Sequence, residues 1–346
     1  MTKKALIVGG GIVGCMTAMQ MVKRGFSVTI VERNQIASQT SGESSWAGAG
    51  ILFPLLPWMY ANEVNELAFE GAALYGEICQ ELLAETGIDA NLTVSGMHIL
   101  PPLDIAIAKN WCANNQVPFQ EVSSNFDELL TPYHDKALWL PTVGQVRPPY
   151  LMLALRAWLE KNKVTLLENT SLKPLQETQA LTTWETTAGE QLSADIFIVT
   201  SGAWSFELLK DTASKLNIKP MRGQILLYKP IKNLEQIVYK DGFYMVPRRD
   251  GYLLAGSTLE DVGFDATTTE VVRNQLQIKA ESIMPSLKDS AIIKHWSGLR
   301  PGTPENLPTI GAHPNIQNLY LNTGHFRYGL TMAPSSANKL IGLIAK

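Results

Sequence analysis

Three glycines near the start of the chain have the spacing of a phosphate-binding turn. Gly9, Gly11 and Gly14 form a GxGxxG pattern between a predicted strand, Ala5–Val8, and a predicted helix. The first glycine permits a tight turn, the second lets backbone approach a pyrophosphate, and the third lets helix and strand pack closely. Glu32 ends the next predicted strand, where a carboxylate can accept hydrogen bonds from ribose hydroxyls. The pattern favours dinucleotide binding over an ordinary glycine-rich turn, but it does not distinguish NAD from FAD.

Two arginines and a tyrosine are candidates for holding an anionic substrate. Arg300 and Arg327 are single positive charges in apolar, glycine-rich surroundings, where a guanidinium needs an anionic or carbonyl partner. The forked donors of a guanidinium suit a carboxylate. For each arginine, the alternative is a structural ion pair. Tyr244 lies in a predicted strand and could equally be a core aromatic residue. The carboxylates of Glu260 and Asp261 are expected to form a solvated turn.

The remaining chemistry points to a cofactor rather than to a nucleophile. The chain has no GxSxG or zincin motif, and its five histidines show no metal-ligand spacing, so no metal site is expected. This pattern suits hydride transfer, where the cofactor performs the chemistry. The three cysteines are too few and too scattered for a disulfide framework, which favours reduced thiols and a cytoplasmic protein.

Composition limits the class of protein. The 346 residues carry 29 Lys+Arg and 32 Asp+Glu, a net charge of −3, which argues against a nucleic-acid-binding face. With 45% hydrophobic residues the chain should fold, and its length suggests about two domains. Only 18% of the residues are charged, which indicates a buried interface, a large cofactor or a membrane contact.

Two uncharged stretches could be mistaken for membrane segments. The run from Ala5 to Val22 follows two lysines like a signal peptide, but three successive glycines are poor in an apolar helix. The run from Ser44 to Asn62 is interrupted by Pro54 and Pro57. No transmembrane segment is expected, although the second run remains a candidate for a peripheral membrane or subunit contact.

The predicted elements interleave two kinds of architecture. Strand, glycine turn, helix and strand over residues 3–33, with helix from Cys15 to Lys23, are typical of a parallel α/β sheet. Alternating residues from Gly223 to Ser257 predict antiparallel strands, and residues 101–149 suggest a more irregular module. Further elements are predicted as helices within Glu63–Glu85, at Leu151–Lys161, at Glu270–Ile283 and up to Ile344, and as strands at Val164–Leu167, Ala194–Thr200 and Leu319–Leu321.

Taken together, several segments resemble the FAD-dependent D-amino acid oxidase family over essentially the whole chain, with the glycine oxidase group of the thiamine-biosynthesis type as the nearest likeness. They are Ile7–Gly14, Glu43–Ile51, Ser201–Ser205, Val246–Gly251, Gly298–Gly302 and Gly324–Leu330. The resemblance implies an α/β fold with a Rossmann-like FAD-binding domain, and an α+β substrate domain on a mixed or antiparallel sheet. The domains would comprise 1–90, 145–218 and 297–346 for FAD, and 91–144 and 219–296 for substrate.

The resemblance also implies an activity and site residues. The activity would be oxidation of glycine, sarcosine or small D-amino acids to a 2-oxo acid, ammonia or an amine, and hydrogen peroxide, with oxygen as acceptor, in supply of thiamine biosynthesis. Arg300 would bind the substrate carboxylate, with Arg327 and Tyr244 in the same pocket. FAD would be held by Gly9, Gly11, Ile12, Val13, Gly14, Glu32, Arg33, Ser44, Ser45, Ala49, Gly50, Ile51, the backbone of Leu172, Gly202, Trp204, His325, Phe326, Arg327, Tyr328, Gly329, Leu330 and Thr331.

Two departures from that family bear on the pocket. Gly242 stands where related enzymes can carry a histidine, and Leu259 where they can carry a methionine, so the pocket is expected to be roomier. Family members that bind flavin covalently use a cysteine in the C-terminal half or a histidine in the early loop. This chain has no cysteine after Cys112 and no histidine before His98, so FAD should be non-covalent.

Other functions remain open at this point. A related dehydrogenase would pass electrons to a quinone, and a non-catalytic nucleotide-binding module would oxidise nothing. An RNA-modifying FAD domain is disfavoured by the net charge of −3. A homo-oligomer is an expectation from the family likeness.

Overall fold

The computed structural model describes residues 2–40, 42–176, 179–213 and 216–345. The helices in this part are α1 Ile12–Lys23, α2 Ser44–Ala47, α3 Asn62–Thr86, α4 Ile105–Asn114, α5 Pro148–Lys161, α6 Ser205–Leu209, α7 Glu270–Ile283 and α8 Gly329–Ile344. The strands are β1 Lys4–Val8, β2 Ser27–Val31, β3 Thr93–Val94, β4 Met97–Ile99, β5 Gln120–Ser123, β6 Lys136–Leu140, β7 Gly144–Gln145, β8 Thr165–Leu167, β9 Thr183–Glu185, β10 Gln191–Ser193, β11 Ile196–Val199, β12 Lys219–Lys229, β13 Ile237–Lys240, β14 Phe243–Pro247, β15 Leu253–Gly256, β16 Ala291–Gly302, β17 Thr309–Ala312 and β18 Leu319–Thr323.

A largely parallel sheet carries the glycine turn. Its order in the described chain is β17-β18-β11-β1-β2-β8, and β17 alone runs antiparallel to its neighbour. Residues Ala5–Val8 of β1 are buried, as expected for a strand covered on both faces. Helices α1, α3, α5 and α8 share a core with one face, while β9, β10 and α6 cover the other. The predicted α/β class is confirmed.

A second, mixed sheet carries two of the three candidate substrate residues, Arg300 and Tyr244. Its order is β16-β12-β15-β14-β13-β4-β6-β5, with β13 and β4 parallel and the other neighbours antiparallel. Helix α7 packs on one side of this sheet, and α4 with the segment around Phe53 packs on the other. The antiparallel pattern predicted for Gly223–Ser257 is therefore confirmed.

The long strands β12 and β16 connect the two regions. They pair from Lys219 with Gly302 to Lys229 with Ala291. Strand β16 is continuous across position 297, where the sequence analysis sets a domain boundary. The proposed division into domains remains a prediction.

Two local predictions differ from the structure. Helix α1 begins at Ile12 rather than at Cys15, because Gly11 already caps it in an extended conformation. The module over 101–149 is more regular than expected: it contains α4, β5, β6 and β7. Asp104 begins α4 by accepting a hydrogen bond from the Ile107 N–H at 3.1 Å, which is a standard N-cap interaction.

Among the described residues, no helix combines the length and apolar character needed to cross a bilayer.

Candidate active site

The glycine turn between β1 and α1 is as tight as its spacing predicts. Gly9 has φ of +110°, and its N–H donates to Val31 O at 2.9 Å. A Cβ on Gly14 would lie 1.9 Å from Gly9 O, so only a glycine lets α1 lie against the turn. Gly11 and Ile12 then border a cavity, which places the positive end of the α1 dipole at its wall.

Glu32 lies at the end of β2, beside the turn. Its side chain is buried, and its two carboxylate oxygens accept hydrogen bonds from Gly10 N at 2.7 Å and from Asn34 N at 3.0 Å. Thr200 supports the turn from β11 by donating to Val8 O and Gly9 O at 3.0 and 2.9 Å. The Glu32 carboxylate therefore both fixes the turn and borders the cavity, where its remaining lone pairs can accept hydroxyl donors.

An aromatic and charged cluster forms the wall next to Glu32. The Arg33 guanidinium lies 3.5 Å from the centroid of the Trp204 ring, and Trp204 packs against Phe264 with centroids 5.5 Å apart. Glu43 lies 3.5 Å from Arg33 and accepts from Asn34 Nδ2 at 2.6 Å. A stacked guanidinium and indole present a flat surface, which suits a planar ring or a sugar.

The segment from Ser44 to Ile51 borders the middle of the cavity. Its first residues form the short helix α2, and Ser45 Oγ accepts from the Ile12 N–H at 2.9 Å. Gly50 has φ of +77°, and a Cβ there would lie 2.1 Å from Val146 O. The backbone at Gly50 therefore borders the cavity in a left-handed conformation that requires glycine.

Arg248 holds this segment by donating a hydrogen bond to its backbone. Sequence reasoning did not identify this arginine. Its buried guanidinium donates to Ala49 O at 2.6 Å, to Gln145 Oε1 at 2.7 Å and to Val146 O at 3.1 Å. Burial lowers the pKa of Arg248 to about 10. Its place within Val246–Gly251 was the available signal, but its partners are about 100 or more residues away in the chain.

Arg248→Met should lower the free energy of unfolding by about 2–4 kcal/mol, because it leaves buried carbonyl acceptors without donors. Urea unfolding of Arg248→Met and of the unaltered protein measures this difference in the free energy of unfolding. Arg249→Met is the matched control: that neighbouring side chain is half exposed and pairs with Asp89, so its removal should cost about 1 kcal/mol or less. Equal losses for the two variants would contradict the role given to Arg248.

The C-terminal run also borders the cavity. A single turn of 3₁₀ helix over Phe326–Tyr328 leads into α8, and Thr331 Oγ1 donates to Ile51 O at 3.0 Å. His325 is buried, its Nε2 has no hydrogen-bond partner among the described residues, and burial lowers its pKa to about 3. An unpartnered polar atom at this wall fits a bound polar molecule.

Arg300 lies on β16 at the other end of the cavity. Its Nη1 donates to Thr258 O at 3.1 Å and its Nη2 to Ser257 Oγ at 2.8 Å. A Cβ on Gly223 of the paired strand would lie 2.1 Å from Nη1, so that glycine makes room for the guanidinium. Burial lowers the pKa of Arg300, and no described carboxylate is within ion-pair distance. The cavity therefore holds a guanidinium prepared for an anion.

Tyr244 and Arg327 border the same end. Tyr244 is buried on β14, beside Arg300, whereas Arg327 is exposed at the cavity mouth. The structure thus brings together all three residues that the sequence suggested for substrate binding.

These residues share one cavity of ≈ 420 Å³. Of the sequence-suggested cofactor residues only Gly14 does not border it, since Gly14 packs behind the turn. Those that border it are Gly9, Gly11, Ile12, Val13, Glu32, Arg33, Ser44, Ser45, Ala49, Gly50, Ile51, Leu172, Gly202, Trp204, His325, Phe326, Arg327, Tyr328, Gly329, Leu330 and Thr331.

Sequence reasoning missed an aromatic and apolar wall. Phe53, Leu55, Tyr60 and Tyr239 border the cavity near Arg327. Tyr60 contacts the Tyr328 ring edge-on, with centroids 5.2 Å apart. The uncharged stretch from Ser44 to Asn62 was the signal for Phe53, Leu55 and Tyr60, which lie within it, whereas Tyr239 lies on β13.

Gly242 and Leu259, the two departures from the family pattern, differ in their position relative to the cavity. Gly242 borders the cavity, and a Cβ there would meet nothing within 4 Å, so space is open at this point. Leu259 is 43% exposed and is not among the described cavity residues, so it cannot enlarge the pocket as expected.

The cavity fits an elongated dinucleotide such as FAD. The N-termini of α1 and α8 both border it, and they offer free N–H groups and positive dipole ends to phosphates. Glu32 lies beside the first of these, where a ribose would follow a phosphate. A bound FAD would thus contact both halves of the described site.

A family model described as "FAD dependent oxidoreductase" (DAO) matches residues 4–343. The glycine oxidase of Pseudomonas putida is 35% identical over 350 residues, which span 99% of this chain and 95% of that protein. The glycine oxidase of Pseudomonas aeruginosa is 37% identical over 352 residues, spanning 100% and 95%.

Solved structures give the same result. Glycine oxidase from Bacillus cereus has a TM-score of 0.91 at 26% identity, covering 99% of this chain and 95% of that one. Glycine oxidase from Geobacillus kaustophilus has a TM-score of 0.89 at 25% identity, with the same coverage. The match along nearly the whole chain confirms the resemblance and the DAO-type fold. The chain belongs to the DAO family of FAD-dependent oxidoreductases.

Proposed function

We propose that this protein is an FAD-dependent amino acid oxidase that oxidatively deaminates glycine, and also sarcosine or small D-amino acids. With glycine, oxygen and water as reactants, the products are glyoxylate, ammonia and hydrogen peroxide. The product would supply thiazole formation in thiamine biosynthesis. Similarity to the two Pseudomonas glycine oxidases over nearly the whole chain supports this proposal.

The observation that carries the proposal is the guanidinium of Arg300. It lies in the cavity without a carboxylate partner among the described residues, while Ser257 and Thr258 hold one N–H of each terminal nitrogen. Its other N–H groups can bind a substrate carboxylate, and the Tyr244 hydroxyl can donate to it. This fixes the substrate in one orientation, which converts a bimolecular encounter into an effectively unimolecular step.

The cavity also favours the reactive form of the amine. When bound, FAD supplies the acceptor for the hydride of the substrate Cα–H. The amine must first lose its proton, and two arginines with apolar walls disfavour a further positive charge on the amine. The open space at Gly242 supports room for a small substituent on the carbon or nitrogen.

The site assignments follow from this function. We propose that the cavity residues named above hold FAD non-covalently, with Arg300, Tyr244 and Arg327 around the substrate. We also propose the two discontinuous domains 1–90, 145–218 and 297–346 for FAD, and 91–144 and 219–296 for substrate. A cytoplasmic location and a homo-oligomer complete the proposal; the three free, buried cysteines support the former.

Peroxide yield separates this activity from that of a quinone-dependent dehydrogenase. In air, the purified holoenzyme should form about one hydrogen peroxide per glycine consumed, since oxygen takes both electrons. Adding a soluble quinone analogue should leave the rate within about twofold. Turnover that requires the quinone and yields no peroxide would contradict the oxidase activity.

A further inference from the structure

Glu260 and Asp261, expected to share one solvated turn, differ sharply. The Asp261 side chain is 57% exposed and pairs with Lys219. The Glu260 side chain is 19% exposed and accepts from Arg222 Nη2 at 2.7 Å. Gln224 Nε2 also donates to both Glu260 oxygens, at 3.0 and 3.2 Å. The expectation of a solvated turn is therefore wrong for Glu260, because Arg222, a distant residue in sequence, folds back onto it.

Glu260 is connected to the substrate arginine through one residue. Thr258 Oγ1 donates to Glu260 Oε1 at 2.5 Å and accepts from the Gln224 N–H at 2.9 Å. Thr258 is thus held from two sides. Its carbonyl oxygen accepts from Arg300 Nη1 at 3.1 Å. A continuous chain of hydrogen bonds therefore runs from Arg222 through Glu260 and Thr258 to Arg300.

The charge of Glu260 is well supported. Burial pushes its pKa upward, but hydrogen bonds from Arg222, Thr258 and Gln224 outweigh burial and hold the pKa below its ordinary value. Glu260 therefore stays ionised at neutral pH. Its negative charge also opposes the effect of burial on Arg300 and favours the charged guanidinium.

We propose that Glu260 is a positioning residue for the substrate carboxylate, and that it acts through Thr258 by fixing the orientation of the Arg300 guanidinium. The inference rests on the proposed function, in which Arg300 binds that carboxylate. Neither Glu260 nor Thr258 is among the described residues that border the cavity. Glu260 therefore touches neither substrate nor cofactor and acts behind the arginine.

The physical reason lies in the donors of a guanidinium. Arg300 has five N–H groups in a rigid fork, and its anchors take one from each terminal nitrogen. When Thr258 is fixed, the remaining donors keep one direction into the cavity. When Thr258 is free, only the contacts with Ser257 and Tyr244 hold the guanidinium, and a carboxylate must restore part of its orientation on binding.

Glu260→Gln tests this relay, since it keeps the shape and removes the charge. In the holoenzyme, acetate serves as a carboxylate probe, followed through the flavin absorbance, and glycine turnover gives KM and kcat. We expect Glu260→Gln to raise the acetate Kd and the glycine KM about tenfold, with kcat within about threefold. Asp261→Asn, the exposed neighbour, should leave both within about twofold.

Thr258 provides a second, independent pair of variants. Thr258→Val should weaken acetate binding about as much as Glu260→Gln, whereas Thr258→Ser retains the hydroxyl and should bind acetate as the unaltered protein does. In an Arg300→Met background, Glu260→Gln should add less than about twofold, because its effect passes through Arg300. The Thr258→Val and Thr258→Ser variants test the relay even if Glu260→Gln does not fold.

The outcomes distinguish the relay from the proposed function. If Arg300→Met itself leaves acetate binding unchanged, the carboxylate role of Arg300 is wrong, and the relay with it. If Arg300→Met weakens acetate binding but Glu260→Gln and Thr258→Val do not, only the relay is wrong. Weaker binding in Thr258→Val that Thr258→Ser does not share supports the relay.

Discussion

Replacing Arg300 with methionine should raise the KM for glycine by about 10²- to 10³-fold while FAD remains bound. Truncating one partner of a buried, hydrogen-bonded charge pair typically costs about 2–5 kcal/mol, and the substrate carboxylate would lose its main partner. The guanidinium donates to Ser257 and Thr258, neither of which is proposed to hold FAD, so FAD binding should survive. Steady-state kinetics and the flavin absorbance of the purified variant measure both effects.

Arg327→Met is the matched control for that experiment. Arg327 borders the same cavity but is exposed at its mouth, where solvent screens its charge. Its loss should raise KM by about tenfold or less. A larger effect for Arg327→Met than for Arg300→Met would reverse the roles given to the two arginines.

Gly14→Ala should abolish FAD retention and strongly destabilise the protein. The new Cβ would lie 1.9 Å from Gly9 O and 2.7 Å from Thr200 Oγ1, and the first of these atoms is backbone that cannot rotate away. Helix α1 would have to move from β1, which separates its N-terminus from the turn. We expect a loss of at least about 3 kcal/mol in the free energy of unfolding, as for other overpacked cores. Urea unfolding and the FAD content after gel filtration report the two effects.

Gly76→Ala gives the opposite sign and serves as the control. Gly76 is exposed within α3, and a Cβ there would meet nothing within 4 Å. Alanine in a helix interior should therefore stabilise the protein by about 0.5–1 kcal/mol. FAD retention by Gly14→Ala at the level of Gly76→Ala would contradict the packing role of the third glycine.

Local patterns explain which parts of the fold and site were predictable. Strand β1, the glycine turn and Glu32 lie within one strand–turn–helix–strand unit, so their spacing in sequence determines their geometry. Arg300 could be singled out because a lone charge in apolar surroundings needs a partner wherever it folds. Phe53 and Tyr60, which border the cavity, lie in an uncharged stretch that is visible in the sequence. Composition alone does not distinguish a cavity wall from a membrane contact.

Residues that act through distant partners could not be predicted. Arg248 contacts Ala49, 199 residues away, and Glu260 contacts Arg222, 38 residues away. Neither residue is unusual within its own segment. Leu259 shows the converse limit: its position in sequence suggested a pocket residue, yet the backbone directs it to the surface. Such contacts depend on how segments far apart in sequence come together in the fold, which local sequence patterns do not specify.

Anaerobic reduction of the bound flavin by glycine tests the account most directly. We predict that the holoenzyme, mixed with glycine without oxygen, loses the visible absorbance of its oxidised flavin. It should regain that absorbance on admission of air, with about one hydrogen peroxide released per flavin. The Arg300→Met variant should require about 10²- to 10³-fold more glycine for the same change. A flavin that keeps its absorbance with glycine, sarcosine and D-alanine would contradict the proposed oxidase, and identical glycine dependence in Arg300→Met would contradict its carboxylate role.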